Sequence, residues 1–394
     1  MNTFDLEEKD FEENRYSRLE LIPWWNQELL HNACIMVVGA GAIGNELIKN
    51  LALLGIGKIV IVDMDKIEQT NLTRSILYRM SNVGEYKCEA AAKAAMEINS
   101  DVKAIALNSN IVNDIGLGVF RKVDMVLGGL DNREARLAIN QFCYRVNKPW
   151  IDGAIEALNG FSRVFSPPGP CYECTMTETD WKLLNKRKSC ALLTHEELLE
   201  GKTPTTPTSS SIIAGIQVQE MLKILHKDRN LPTLAGKGFV FNGLTHDSYV
   251  VQYQLKEDCM SHDVYKNIVE TEWSARTVTF GEILSKAEKD LGNGAVIELD
   301  RDISTYAECA CGNKKVIYNA VSKLKNKDII CEHCGKTMQF NTMHIISDKS
   351  ELLNMTPYDV GLPLYHIIPV RKGNDYIYYE LSKDKDEVLG ELFK

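Results

Sequence analysis

The chain has 394 residues, of which 44% are hydrophobic, and it carries a formal net charge of -9 at pH 7. This length and composition predict a globular protein with one large domain and a smaller one. The acidic balance argues against nucleic-acid binding as the main activity, because neutralising phosphates requires a basic face. The acidic first eight residues do not resemble a secretory signal, and no uninterrupted apolar run reaches membrane-spanning length. We therefore expect a cytoplasmic protein, in which the eleven cysteines are thiols and metal ligands rather than disulfides.

One or two helices are predicted for residues 7–31. A strand, a glycine-rich turn and a helix follow at residues 35–38, 39–44 and 45–54. The next strand ends at Asp63, where a dinucleotide fold places the carboxylate that accepts the ribose hydroxyls. The glycines that would allow the tight turn, the approach of phosphate and close helix packing are Gly39, Gly41 and Gly44. Taken alone, this motif favours a nicotinamide or flavin dehydrogenase, or a glycine turn that binds no ligand.

Two cations follow this motif closely. Arg74 ends the sequence Asn-Leu-Thr-Arg that begins at Asn71, and Lys87 ends the sequence Val-Gly-Glu-Tyr-Lys. Classical dehydrogenases do not need cations here, whereas a triphosphate site does. The alternative is that both side chains lie on a solvated face.

Further strands and helices extend the α/β pattern. A helix is predicted at 88–96, and strands are predicted at 104–107 and 125–129. Asp131 follows the latter strand and precedes a helix that extends through Tyr144. A carboxylate just beyond a strand end of an open parallel sheet is well placed to hold magnesium against a triphosphate. The alternative role for Asp131 is a helix N-cap.

Strands are next predicted at 150–153 and 160–165, and they lead to Cys171 and Cys174. Two thiolates at this spacing can bind one zinc ion, but a tetrahedral structural site needs two more ligands. A flexible connection over 201–211 and a helix over 212–226 are predicted to follow.

The C-terminal third contains two metal-knuckle sequences, each with a glycine after its second cysteine. These four predicted ligands of a zinc ribbon are Cys309, Cys311, Cys331 and Cys334. Residues 364–370 and 376–381 are predicted to form a β-hairpin. A small domain held by zinc would be a docking platform for a partner protein.

Six motifs occur in a fixed order along the chain: GAGAIG, DMD, NLTR, VGEYK, LDNREAR and CYEC. Together they resemble the adenylation domain of the ubiquitin-activating enzyme family, which includes the sulfur-carrier adenylyltransferases of the molybdopterin and thiamine pathways. The resemblance covers about residues 15–262 and is greatest to bacterial ubiquitin-like-pathway activating enzymes. It implies a Rossmann-like, doubly wound, mostly parallel α/β sheet in residues 1–264. A smaller zinc-containing α+β domain is then expected in residues 265–394.

The resemblance also implies an ATP site with magnesium. Arg74 and Lys87 match the residues that bind the ATP phosphates, and Asp131 matches the magnesium ligand. The complete set of implied ATP-site residues is Gly39, Gly41, Gly44, Asp63, Asn71, Arg74, Lys87 and Asp131. Arg18 matches an arginine that reaches into the ATP site from the neighbouring subunit, which would require a homodimer. The alternative is a surface arginine on a packing helix.

The resemblance supplies the missing zinc ligands as well. Where the family usually has another Cys-x-x-Cys pair, this chain has Cys259 and His262, so we expect a structural Cys3His site with Cys171 and Cys174. Cys190 lies in the crossover where several relatives carry a thioester-forming cysteine, although a longer insert separates it from the following helix. Three cations, Lys186–Lys188, would lower its thiol pKa. The alternative is an incidental free thiol.

Together with these residues, the resemblance implies ATP-dependent activation of a small ubiquitin-like protein. The partner would be a β-grasp protein with a C-terminal glycine, and its acyl group would pass through Cys190 to a conjugating enzyme. Three alternatives remain: a sulfur-carrier adenylyltransferase, an NAD-dependent dehydrogenase and a non-catalytic scaffold organised by zinc.

Overall fold

The computed structural model describes residues 13–182 and 204–393. The strands of its larger sheet are Cys34–Val38 (β1), Lys58–Val62 (β2), Lys103–Leu107 (β3), Met125–Gly128 (β4), Trp150–Glu156 (β5), Asn159–Phe165 (β6), Lys237–Asn242 (β7) and Asp247–Gln252 (β8). They lie in the order β3-β2-β1-β4-β5-β6-β7-β8. Strands β1 to β5 pair in parallel, whereas β6 to β8 pair antiparallel to their neighbours. The predicted Rossmann-like, mostly parallel sheet is confirmed.

Helices cover both faces of this sheet. In the described ranges they are Ser17–Glu20 (α1), Gln27–Asn32 (α2), Ala42–Leu54 (α3), Lys87–Ile98 (α4), Leu117–Lys122 (α5), Arg133–Arg145 (α6), Tyr172–Thr175 (α7) and Pro207–Leu225 (α8). Along β1, Ile35 and Val37 pack with α3, α4 and α8, whereas Met36 and Val38 pack with α5 and α6. A strand buried on both faces explains the continuous apolar run in the sequence. Among the described residues, no helix combines the length and the apolarity that crossing a bilayer requires.

A second, six-stranded sheet is formed by the C-terminal part of the chain. Its strands are Ile268–Thr271 (β9), Val296–Glu308 (β10), Lys314–Ala320 (β11), Gln339–Ile346 (β12), Ile367–Lys372 (β13) and Asp375–Leu381 (β14). They lie in the order β11-β10-β13-β14-β9, and β12 also pairs with β10. The accompanying helices are Phe280–Leu291 (α9), Asn326–Ile329 (α10) and Lys385–Leu389 (α11). Strands β13 and β14 form the predicted C-terminal hairpin.

Short 3-10 helices complete the secondary structure. They lie at Gln69–Thr73, Met80–Asn82, Lys227–Arg229, Val321–Lys323, Ser382–Asp384 and Gly390–Phe393.

The second sheet packs against the large sheet rather than standing apart from it. Tyr365, Tyr378 and Leu389 belong to the same buried cluster as the apolar faces of α5 and α6. The backbone N–H of Gly118 in α5 donates to the carbonyl of Tyr365 at 2.9 Å. Helix α5 therefore lies between the two parts of the chain.

Helix α8 begins earlier than the sequence suggested. We predicted a flexible connection over 201–211, but residues 207–211 are helical. The Thr206 hydroxyl caps the helix by accepting from the backbone N–H of Ser209 at 3.2 Å, and Pro207 occupies the first turn. The prediction was wrong for residues 207–211, because the proline and hydroxyl residues of this segment start a helix and do not form a flexible connection.

Three cysteines that belong to neither metal-ligand pattern are buried. Cys34, Cys88 and Cys143 are each at most 2% exposed. Burial raises the pKa of Cys34 to about 12 and that of Cys88 to about 11. Thiols with such pKa values are almost entirely protonated at neutral pH, so these cysteines serve packing rather than catalysis.

Candidate functional site

The glycine turn joins β1 to α3 and has no room for side chains at two positions. Gly39 has a φ of +89°, and a Cβ placed there would lie 2.5 Å from the carbonyl oxygen of Gly129. A Cβ on Gly44 would overlap the carbonyl of Gly39. In contrast, nothing lies within 4 Å of a Cβ built on Gly41, which lines an open cleft. The turn thus brings bare backbone to the start of a helix, an arrangement that binds anions.

Two residues that the sequence analysis did not identify hold this turn in place. The buried Asn45 amide donates to the carbonyl of Ala40 at 2.7 Å, and its oxygen accepts from the N–H of Leu77 at 2.9 Å. The hydroxyl of Tyr78 donates to the same Ala40 carbonyl at 2.6 Å. The available signal for Asn45 was a polar residue directly after the glycine turn, in the first turn of the helix.

Asp63 directly follows β2, beside the glycine turn. One carboxylate oxygen accepts from the N–H of Ala40 at 2.7 Å, and the other accepts from the N–H of Asp65 at 2.8 Å. Burial raises the pKa of Asp63, and these backbone donors act in the opposite direction. The carboxylate is thus fixed at the wall of the cleft, where its predicted contact with ribose would be made.

The two predicted phosphate-binding cations line the same cleft. Lys87 is the first residue of α4, and its Nζ lies 2.9 Å from a carboxylate oxygen of Asp65. Arg74 follows a 3-10 helix, and its guanidinium donates to the carbonyl of Thr70 at 2.8 Å. Asn71 also lines the cleft, although its side-chain oxygen accepts from the N–H of Glu68 at 2.9 Å. That bond gives Asn71 a structural role in the turn.

Asp131 follows the carboxyl end of β4, lines the cleft and is exposed. The helix N-cap is the neighbouring Asn132, whose side chain accepts from the N–H of Ala135 at 2.8 Å. The alternative role for Asp131, as the N-cap, is therefore wrong. Within the described ranges its carboxylate contacts only the Asn132 amide, at 3.4 Å. Such an exposed carboxylate can accept a hydrated cation, so the residues present fit magnesium.

The cleft has a volume of about 1590 Å³ and brings most of the predicted ATP-site residues together. Those that line it are Gly39, Gly41, Asp63, Asn71, Arg74, Lys87 and Asp131. Gly44 does not line the cleft, because it is packed beneath the turn. The arrangement follows from the parallel strands, whose carboxyl ends meet at one edge of the sheet.

Arg18 lies at the other end of α3 in the same chain. Two residues before it, the Tyr16 ring would touch a Cβ on Gly55, the C-cap of α3, whereas the cleft lies at the N-terminus of that helix. A helix of thirteen residues is about 20 Å long. Arg18 therefore does not reach the cleft of its own chain, and its predicted action from a neighbouring subunit stays a prediction.

A buried ion-pair cluster missed by the sequence analysis forms the floor of the cleft. The fully buried carboxylate of Asp152 accepts from Nε of Arg136 at 2.9 Å and from Nε of Arg163 at 3.1 Å. Both arginines line the cleft. The cluster of one carboxylate and two guanidinium groups therefore carries a net positive charge, which can contribute to holding an anionic ligand. The available signal in the sequence was an aspartate within the predicted strand 150–153, which marks the residue but not its partners.

The first predicted zinc site has its ligand atoms within 4.8 Å of one another: Cys171, Cys174, Cys259 and His262. The sulfur of Cys171 lies 3.7 Å from that of Cys174 and 3.5 Å from that of Cys259. The Nε2 atom of His262 lies 3.3 Å from the sulfur of Cys174. Ligands about 2.3 Å from a tetrahedral zinc ion are about 3.8 Å apart, so this set fits zinc.

The second predicted zinc site has the same geometry: Cys309, Cys311, Cys331 and Cys334. The sulfur pairs Cys309–Cys334 and Cys311–Cys331 are 3.4 and 3.6 Å apart. The glycines after each pair have φ of +87° and +68°, as tight knuckle turns require. These cysteines lie at the end of the β10–β11 hairpin and before β12.

Comparison with known proteins identifies the family. The sequence model described as "ThiF family" matches residues 13–261, which is more than half of the chain. The chain belongs to the ThiF family. The match ends within the second pair of zinc ligands, so the second sheet and its cysteine cluster lie beyond the part that this ThiF family model covers.

Three similar proteins illustrate the ThiF family relationship. "Adenylyltransferase and sulfurtransferase MOCS3-1" of Zea mays is 39% identical over 164 residues, which are 41% of this chain and 35% of the relative. "Ubiquitin-like modifier-activating enzyme 5" of Dictyostelium discoideum is 31% identical over 247 residues, 57% of this chain and 61% of the relative. A crystal structure of Escherichia coli MccB with ATP superimposes with a TM-score of 0.53 at 25% identity, covering 64% of this chain and 75% of that one. The chain thus spans less than two thirds of either curated relative.

Cys190 and the cations Lys186–Lys188 lie outside the described residues. Asp180, two residues before the end of the preceding described range, and Pro204, the first residue of the next one, both line the cleft. The described residues near both ends of this gap therefore lie at the candidate nucleotide site of this ThiF family member. The role of Cys190 stays a prediction.

Proposed function

We propose that this protein is an ATP-dependent activating enzyme for a small ubiquitin-like protein of the cytoplasm. One observation carries the proposal: a single cleft holds the glycine turn, Asp63, two cations and the exposed carboxylate of Asp131. A dehydrogenase has no use for the two cations and that carboxylate. Membership of the ThiF family, and relatives named as adenylyltransferase and activating enzyme, support the same reaction class.

The first step is adenylation of the partner's C-terminal glycine. A carboxylate oxygen of that glycine attacks the α-phosphorus of ATP, the bond from this phosphorus to the bridging oxygen breaks, and pyrophosphate leaves. An ionised carboxylate needs no protein base. Rate acceleration then comes from orienting the reactants and from neutralising the charge that develops on the phosphates.

Arg74 and Lys87 would supply that neutralisation. Both side chains line the same cleft as the glycine turn, at which the phosphates of a bound nucleotide would lie. Lys87 is held by Asp65 at 2.9 Å and would exchange this partner for phosphate oxygens. Magnesium held by Asp131 would add a divalent charge to the same phosphates.

The second step is transfer of the acyl group to Cys190. The thiolate attacks the acyl carbon, the bond to the AMP oxygen breaks, and a thioester and AMP result. A conjugating enzyme would then accept the acyl group on its own cysteine. The cleft-lining positions of Asp180 and Pro204, which flank the segment that carries Cys190, support this role.

A sulfur-carrier adenylyltransferase is the second candidate, because one relative is named both adenylyltransferase and sulfurtransferase. The two candidates share the adenylation step and differ in the fate of the acyl-adenylate. An activating enzyme forms a thioester, whereas a sulfur-carrier enzyme leads to a thiocarboxylate.

The two cysteine-rich clusters would each hold a structural zinc ion. Each offers four protein ligands, so neither leaves the open coordination position that a catalytic zinc needs. The first cluster would fix the chain that follows β8, and the second would hold the end of the β10–β11 hairpin.

The deciding experiment is ATP–pyrophosphate exchange with a purified β-grasp protein that ends in glycine. Exchange that depends on this protein supports both adenylating candidates, and its absence with all tested carriers contradicts the proposal. A covalent adduct that is sensitive to reductant and is lost in Cys190→Ala distinguishes thioester formation. A normal adduct in Cys190→Ala would exclude Cys190 as the nucleophile.

The proposed homodimer is tested by mixing two inactive variants, Arg18→Ala and Asp131→Ala. If Arg18 acts on the partner's cleft, each mixed dimer regains one intact site, and random mixing restores about a quarter of the wild-type activity. If Arg18 and Asp131 both act on the cleft of their own chain, every site in the mixture lacks one of them, and mixing restores no activity.

A further inference from the structure

The loop between β3 and α5 faces the cleft on one side and the second sheet on the other. Residues 109–112 line the cleft, whereas Asn113 and Asp114 contact the C-terminal part of the chain. This loop therefore connects the candidate nucleotide site to the region that lies beyond the ThiF family match.

The order of the strands indicates which part of a bound nucleotide this loop would contact. Phosphates belong at the glycine turn after β1, and the ribose belongs at Asp63 after β2. Strand β3 is the next strand outward, so the loop after it would lie against the base. Ser109 and Ile111 are among the residues that it contributes to the cleft wall.

A single carboxylate ties this loop to the second sheet. One oxygen of Asp114 accepts from the backbone N–H of Asn110 at 3.1 Å, and the other lies 2.9 Å from Nζ of Lys323. Asn110 itself lines the cleft. The side chain of Asp114 thus connects a residue of the cleft wall to a lysine that lies just after β11.

Two further hydrogen bonds hold the same loop. The guanidinium of Arg301 donates to the carbonyl of Asn113 at 3.3 Å, and the Asn113 amide donates to the carbonyl of Ser322 at 3.4 Å. Arg301 is itself fixed by Asp300, whose carboxylate accepts from its Nε at 3.0 Å. The loop is therefore held at successive residues by one surface of the C-terminal part.

We propose that Lys323, acting through Asp114, is a positioning residue for ATP: it holds the β3–α5 loop against the base side of the nucleotide cleft. The inference rests on the proposed ATP site and adds to it a role for the C-terminal part of the chain. Loss of the lysine removes one of the contacts that hold the loop and weakens ATP binding, while the phosphate-binding cations stay in place. The KM for ATP then rises and kcat changes little.

The test compares Lys323→Ala with the wild-type full-length protein in direct ATP binding and in ATP–pyrophosphate exchange at varied ATP. A partly exposed ion pair is worth up to about 1 kcal/mol, which corresponds to a rise of about two- to fivefold in Kd and KM. Lys323→Arg should restore most of the affinity. Lys315→Ala is the matched control, because it removes another lysine of this sheet, paired with Glu332 at 3.7 Å and away from the cleft.

A double-mutant comparison separates positioning from general destabilisation. Asp114→Asn should raise the KM for ATP by a similar factor, and Lys323→Ala should add little in that background. An unchanged KM in folded Asp114→Asn and Lys323→Ala variants, or an equal loss in Lys315→Ala, would overturn the proposal. Failure of the wild-type protein to bind ATP at all would instead overturn the proposed function on which it rests.

Discussion

Asn132 caps helix α6, and this leaves the adjacent carboxylate of Asp131 at the wall of the nucleotide cleft. The side-chain oxygen of Asn132 accepts from the N–H of Ala135 at 2.8 Å, so the helix start is satisfied without Asp131. Two neighbouring polar residues therefore have separable tasks. One stabilises the fold, and the other is available to the ligand.

This separation predicts opposite effects for two substitutions. Asp131→Asn should lower the rate of exchange about 100-fold or more, because it removes the charge that would hold magnesium, while leaving the free energy of unfolding unchanged. Asn132→Ala should lower the free energy of unfolding by about 1 kcal/mol through loss of the cap. Exchange assays at varied magnesium and urea unfolding measure the two quantities. A stability loss in Asp131→Asn comparable to that in Asn132→Ala would contradict the assignment.

Lys87 and Arg74 are expected to act on the phosphates rather than on the fold. Lys87→Ala and Arg74→Ala should each reduce the exchange rate about 100-fold or more. Each substitution removes a cationic donor that would stabilise the negative charge developing on the phosphates. Thermal unfolding should change little, since the partners of these side chains among the described residues, Asp65 and Thr70, are exposed.

The matched control for these cations is Lys66→Ala. Lys66 is an exposed neighbour whose Nζ lies over the Tyr86 ring and does not line the cleft. Its removal should leave exchange within about twofold of wild type. A comparable loss in all three variants would show that net charge, rather than position, matters.

Metal analysis should find two zinc ions per chain. His262→Ala should remove the ion of the first cluster, and Cys334→Ser should remove the ion of the second. The reason is that a tetrahedral site binds zinc more weakly when any one of its four ligands is lost. His31→Ala is the control, because His31 is an exposed helical residue outside both clusters. Elemental analysis of the dialysed proteins gives the count, and retention of two ions in either variant would contradict the assigned ligands.

The sequence predicted the parallel sheet well because its strands and helices are local patterns. The glycine turn, the strand ending at Asp63 and the helix beginning at Lys87 are each defined by residues within one element. The knuckle cysteines could also be paired correctly, since metal ligands have characteristic spacing.

The residues that the sequence did not reveal depend on contacts between distant segments. Asp152 meets Arg136 and Arg163 only because β4, β5 and β6 are neighbours in the sheet. The ion pair between Asp114 and Lys323 joins residues 209 positions apart. No local pattern marks either contact, so both required the tertiary structure.

The last prediction concerns a buried histidine between the two parts of the chain. The Nδ1 atom of His366 accepts from the N–H of Leu117 at 3.2 Å, and its Nε2 lies 3.6 Å from the Asp300 carboxylate. Burial lowers the pKa of His366 below 6.5, with Arg301 and Arg145 adding to the effect and Asp300 opposing it. The folded protein therefore holds this imidazole neutral, because a proton on Nδ1 would face the Leu117 N–H.

A histidine whose folded pKa is depressed stabilises the fold fully above its unfolded pKa, and this stability is lost as the pH falls through the folded pKa. The free energy of unfolding should thus decrease below pH 6.5, by at most about 1.4 kcal/mol per pH unit for one proton. His366→Asn retains an acceptor for the Leu117 N–H but cannot titrate, so urea unfolding between pH 7.5 and 5.5 should show a shallower pH dependence than in wild type. His344→Asn, at an exposed histidine beside Asp302, should leave the wild-type slope intact. If the free energy of unfolding had the same pH dependence in wild type and in His366→Asn, protonation of this imidazole would not be coupled to unfolding. The acid sensitivity would then come from other groups.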